Sequence, residues 1–264
     1  MEPHPARPTN PRSRRGRGFG AGILASILFL TAALVGQAGA EPGAAAPGAG
    51  ASRRVDLYTP TFSHPTRITN LLFPISRLRQ VIQLGHEGDE KLRHEITLLP
   101  ETKSIRWNGQ RLEVLVSQFV AYGDGRILET AVDYFAQDDR GAVWYFGEKV
   151  DNFVDGRLDN HDGTWLAGRD GPPGMIMPAS PRVGDVYRPE NIPGLVFEEV
   201  TVKKVDQTVQ GPRGTVRGAL VIQERLMDGT LEDKVFAPGY GEFLASVPVD
   251  DELVGPTCRP RCDG

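Results

Sequence analysis

Cysteine is scarce in this chain: Cys258 and Cys262 are the only two in 264 residues, and both lie in a polar, Pro-containing stretch. Two thiols cannot staple a small loop-rich fold, and without a neighbouring His they leave a structural zinc site incomplete. A local disulfide is their expected state in an exported chain, although closing so short a loop stabilises a fold little. Familiar catalytic signatures are also missing, with no G-x-S-x-G elbow, Walker loop or C-x-x-C. His86-Glu87 and His94-Glu95 lack the second His of H-E-x-x-H. Gly18, Gly20 and Gly22 follow no strand-like segment and make no nucleotide loop. No cofactor is therefore expected, and an enzyme would need a site assembled from distant residues. Positive charge is not in excess either: the formal net charge is −4, which argues against nucleic acid or an anionic membrane surface as partner. The apolar run Gly20–Val35 is short for a bilayer span of about 20 residues.

What is present begins with that run. Arg12, Arg14, Arg15 and Arg17 precede it, and Ala38-Gly39-Ala40 follows it. A basic start, a short apolar stretch and a small-x-small site read as a cleaved secretory signal over 1–40. Ser13-Arg14-Arg15 with Phe19 loosely resembles a twin-arginine signal, but the spacing to the aromatic favours the general route. Cleavage after Ala40 leaves 25 basic against 33 acidic residues, a net of −8. Residues 41–65, rich in Ala, Gly and Pro, read as a flexible leader. Residues 66–250 suffice for one domain, and 251–264 read as a polar tail. The expected location is the periplasm or the exterior, with no stable membrane span once the signal is removed.

From Leu78 to Val247 the apolar residues alternate and almost no 3.6-residue period is seen. Val216, Leu220, Ile222 and Leu226 define one strand face; Leu112, Val114, Val116, Val120 and Tyr122 define a second. Leu128, Val132 and Tyr134 define a third, opposed by Glu129 and Asp133. Asp-Gly pairs at 124–125, 155–156, 162–163 and 228–229, together with Asp138–Gly141, favour tight reversals. Hairpin-linked strands are antiparallel. The expected fold is all-β: an antiparallel, strongly curved sheet, half-barrel or barrel, interrupted by a Pro/Gly-rich loop at 168–181. Lys203-Lys204 within one strand argues against a lipid-facing barrel.

Two sets of residues are candidates for function. His86 and His94 flank Gly88-Asp89-Glu90, and a hairpin centred on Glu90 would set their imidazoles opposite each other, close enough to share a transition metal. Trp144 and Phe146 fall on one strand face with Tyr145 on the other. With Trp165 and the loop triplet Met175, Ile176 and Met177, they could line a concave apolar pocket, although core packing is the ordinary role of such residues. Asp151, Asp155, Asp159 and Asp162 read as hairpin chemistry, as do Asp133, Asp138 and Asp139.

Ile68-Thr69-Asn70 with Phe73-Pro74, Tyr134-Phe135-Ala136-Gln137-Asp138 and Trp144–Glu148 together resemble a family of exported bacterial β-rich proteins without an assigned function. Gly163-Thr164-Trp165, Gly174–Ala179, Val183–Tyr187 and Ala237–Gly241 continue the likeness in order. The closing motif is also similar to the end of LolA-like periplasmic half-barrels. That second resemblance implies a curved sheet whose concave apolar face holds a lipid or another hydrophobic small molecule. The expected role is a non-enzymatic binding module of the cell envelope. The alternatives are a periplasmic metal-binding protein using His86 and His94, and an enzyme with a dispersed site.

Overall fold

Tight reversals organise the chain, because each brings two consecutive strands together without a crossover. Asp124 and Gly125 have φ of 48° and 79°, and Asp155 and Gly156 have 52° and 74°. These are the left-handed pairs that two-residue hairpins require. Asn108 and Gly109, at 48° and 73°, form another such turn. The computed structural model describes residues 52–247 and 252–256. The signal-like segment, Cys258 and Cys262 lie outside them.

The elements are β1 (Arg53–Arg54), β2 (Gln80–Glu87), β3 (Glu90–Trp107), β4 (Gln110–Gly123), β5 (Arg126–Gln137), β6 (Val143–Val154), β7 (Arg157–Asn160), β8 (Trp165–Leu166), β9 (Gly174–Met177), β10 (Asp185–Ile192), β11 (Val196–Gly211), β12 (Gly214–Leu226), β13 (Leu231–Ala237), β14 (Gly241–Val247) and β15 (Glu252–Pro256). They form a single sheet in the order β1-β10-β11-β12-β13-β14-β15-β2-β3-β4-β5-β6-β7, with β8 and β9 paired to β6. All pairings are antiparallel except β1 with β10. The all-β curved sheet is as expected, and the hydrogen-bonded ladder does not close into a barrel. No helix among the described residues is long and apolar enough to cross a membrane.

The sheet has two halves. β2–β9 form one, and β1 with β10–β14 form the other. β15 lies between them, pairing with β14 on one side and β2 on the other. Across the opposite seam β9 lies against β10 without a ladder. Pro189 has no N–H to donate, and its carbonyl sits so close that a Cβ on Gly174 would lie 1.8 Å from it. A Gly174→Ala variant is therefore expected to lose about 3 kcal/mol of stability. Thermal unfolding checks this; an unchanged midpoint would mean that the seam is loose.

Two expected boundaries move. Residues 52–65 are no free leader: β1 adds to β10, and Tyr58 Oη donates to Asp138 Oδ2 at 2.5 Å. Phe62 packs edge-on against Phe146 and Trp107. Phe146, Trp107 and the buried carboxylate of Asp138 thus recruit a segment whose flanking composition reads as disordered. At the other end, 252–256 belongs to the sheet rather than to a polar tail, because Val254 is fully buried between β14 and β2. The triplet Met175-Ile176-Met177 is buried as expected of an apolar plug, but it is a strand paired to β6 rather than a loop.

Candidate functional site

The concave face carries residues that the alternation placed outside. On β5, Glu129, Ala131, Asp133 and Phe135 are all buried; of the face expected to be the core, Tyr134 is buried, while Leu128 and Val132 are only half-buried. The face expected to be polar and solvated is the interior one, because Ala131 and Phe135 share its register with the two acids. β4 changes face along its length: Leu112, Val114 and Val116 are buried as expected, but beyond them Ser117, Phe119 and Ala121 are inside and Val120 and Tyr122 only half-buried. Asp133 is therefore no turn residue, whereas Asp138 keeps its local role: its Oδ1 accepts from the N–H groups of Arg140 and Ala142.

Between the halves lies a narrow cavity of about 80 Å³, or about 850 Å³ when all space out to open solvent is counted. Its walls come from both halves. Ile96, Leu98, Phe119 and Phe135 stand on one side, Val200, Ile222 and Phe236 on the other, and the segment Phe73–Leu78 borders it. Four charged side chains also line it, namely Asp133, Glu224, Lys234 and Glu242.

The register explains how these groups meet. Ile222 pairs with Lys234 and Glu224 with Glu232 across β12 and β13, so alternation points all four inward. Lys234 Nζ lies 2.6 Å from Glu224, 3.2 Å from Glu232 and 3.9 Å from Glu242, with Lys234, Glu224 and Glu232 almost wholly buried. Burial pulls the ammonium down, but the surrounding carboxylates outweigh it and hold Lys234 well above its usual range, firmly charged. Burial pushes Glu242 up to about 7 against the pull of Lys234. Asp133, buried and accepting from Tyr145 Oη at 3.0 Å, is pushed up to about 7, with burial the larger effect.

A second group of acids lies behind the first. Glu148 is held well above the carboxylate range by burial and then by Glu190, with which it shares a hydrogen bond. Trp165 Nε1 donates to Glu190 Oε1 at 2.7 Å, which ties β8 to β10 across the open seam. Glu129 is pushed up to about 8 by burial and then by Asp133. Glu198 is raised by burial and the neighbouring Glu224. The interior is thus rich in carboxyls that remain protonated into or beyond the neutral range.

The expected site residues separate. Ile176 lines the cavity. Trp144 and Phe146 do not: they lie beneath Tyr58 and Phe62, on the face opposite Tyr145, and Trp144 Nε1 donates to Asp138. Trp165 packs edge-on against Tyr145, and Met175 and Met177 are core residues. The histidine pair does not form. The reversal sits at Gly88-Asp89, so His86 pairs with Lys91 and His94 with Gln83. That register puts the two imidazoles on opposite faces, His86 exposed and His94 buried. Among the described residues no group of three or more His, Cys, Asp or Glu is placed to hold a metal ion. His94 instead packs edge-on against Phe119 at 5.3 Å. Burial, and then Lys234, push its ring down to about 4, which keeps it neutral.

Comparison with family models, curated proteins and solved structures returns no match for this chain.

Proposed function

We propose that this protein is an exported, non-enzymatic binding module that takes the apolar part of a slim amphiphile, such as a single-chain lipid, between the two halves of its sheet. The observation that carries the reading is the cavity itself: aliphatic and aromatic walls from both halves that reach four charged side chains. Ligand sites are commonly built in this way, with apolar lining giving affinity and a few polar groups fixing orientation. Export is supported by the arginine-rich start, the apolar run and Ala38-Gly39-Ala40.

A neutral fluorescent probe, N-phenylnaphthylamine, tests the reading. It should brighten on binding and be displaced by dodecanol below its micellar range. Ile96→Trp places an indole in the bore and should weaken probe binding at least tenfold while leaving the thermal midpoint within a few degrees. Probe binding that is absent, or equal in the variant, overturns the proposal.

A further inference from the structure

We propose that the head group taken at the polar end of this cavity is an ammonium, so that the guest is a single-chain cationic amphiphile, an alkylamine in its simplest form. The proposal rests on the cavity reading above and adds the chemistry of the head.

Charge matching is the first reason. Lys234 is already committed, in contact with Glu224 and Glu232 at 2.6 and 3.2 Å, and it reaches Glu242 only at 3.9 Å. An incoming carboxylate would therefore have to break a buried ion pair and would meet Asp133, Glu224 and Glu242 on the same lining. Like charges brought together in a desolvated site repel strongly. An incoming ammonium meets three carboxyls and a single, already neutralised cation.

Hydrogen-bonding capacity behind the lining is compatible with the same answer. Gln83 is fully buried and donates its Nε2 to Glu242 at 3.3 and 3.4 Å, while its Oε1 finds no partner among the described residues. His94, neutral and fully buried, stands on the same face of β3 as Ile96 and Leu98, which line the cavity, and neither of its ring nitrogens is paired there. Unmet capacity behind Glu242 and Lys234 thus includes the Gln83 oxygen and, on His94, one acceptor and one donor; neither side chain is part of the cavity lining itself. An ammonium supplies three donors and no acceptor, whereas a carboxylate supplies only acceptors.

Binding of a cation would draw Asp133 and Glu242 into their ionised forms, with release of protons. Glu242 is faced by Lys234 and Glu232 from β13, Glu224 from β12 and Gln83 from β2. Asp133 is faced by Tyr145 and Glu148 from β6 and by Glu129 on its own strand. Glu198 on β11 and His94 on β3 lie close enough to feel Lys234. Both acids titrate near 7. Amine affinity should therefore rise with pH between about 6 and 8, by up to tenfold per unit for each proton released.

The test is displacement of N-phenylnaphthylamine from the full chain at about pH 7.5 by dodecylamine, dodecanol and laurate, all below micellar concentration. Dodecylamine should displace the probe at a concentration at least tenfold lower than laurate. Glu242→Gln and Asp133→Asn should each cut amine affinity about tenfold while leaving dodecanol within twofold, which shows that the bore and the fold survive. Laurate that matches the amine, or amine affinity unchanged in both variants, overturns the head-group assignment and leaves the cavity reading standing. Failure of dodecanol and the neutral probe to bind removes both.

Discussion

A Lys234→Met variant should lose about 3–5 kcal/mol of folding stability at pH 8 and far less at pH 5. The size of the effect comes from what stays behind rather than from the three ion pairs themselves. Glu224, Glu232 and Glu242 surround Lys234 in a nearly solvent-free interior. Removing one partner of a buried ion pair strands the others without compensation. Burial already pushes Glu232 well above the usual carboxylate range and Glu242 up to about 7, against the opposing pull of Lys234. Without the ammonium both rise further and are neutral at pH 5, so the penalty is felt mainly above neutrality. Urea unfolding at the two pH values measures it. A loss of equal size at both would assign the effect to packing and refute the charge argument.

Glu129→Gln should do the reverse and stabilise the protein at alkaline pH, by about 2 kcal/mol or more at pH 8. Glu129 is pushed up to about 8 from an ordinary value of 4.5, and neither carboxyl oxygen has a hydrogen-bond partner among the described residues. Between those two values the folded carboxyl keeps a proton that the unfolded one releases. Its contribution is therefore fully present below about 4.5 and is lost as pH rises through about 8. Each unit of the difference is about 1.4 kcal/mol, so the whole window sets an upper bound near 5 kcal/mol. The wild-type melting temperature should fall between pH 5 and pH 8, and the variant's profile should be flatter. Parallel profiles would show that Glu129 does not titrate in this window.

The architecture was legible because its signals are local. Asp124-Gly125 and Asp155-Gly156 adopt the left-handed turns that their residue types favour, and alternation between them is enough to specify antiparallel neighbours. Which face turns inward was less legible. On β5 the pair Glu129 and Asp133 reads as the solvated side, and only the presence of Ala131 and Phe135 at the same parity hints otherwise. On β12 the hint was stronger. Glu224 shares parity with Leu220 and Ile222, both assigned to the core, so continuing that alternation by one position places a carboxyl inside. The cation that makes this tolerable stands on the next strand, and no spacing rule within β12 points to Lys234. The histidine pair failed through register: moving the reversal from Glu90 to Gly88-Asp89 sends His86 and His94 to opposite faces. The aromatic site failed because an N-terminal segment with a disordered-looking composition covers Trp144 and Phe146.

β15 also makes joining the two halves a long-range event. Leu253 pairs with His86 and Val254 with Ala245, so β15 stitches β2, the first strand of one half, to β14, the last of the other. Until residues 252–256 pair, the seam between β2 and β14 carries no ladder and the acidic interior has two unjoined walls. Closing that seam brings together strands far apart in the chain, and contacts of that kind form only once the entropy of closing a long loop has been met.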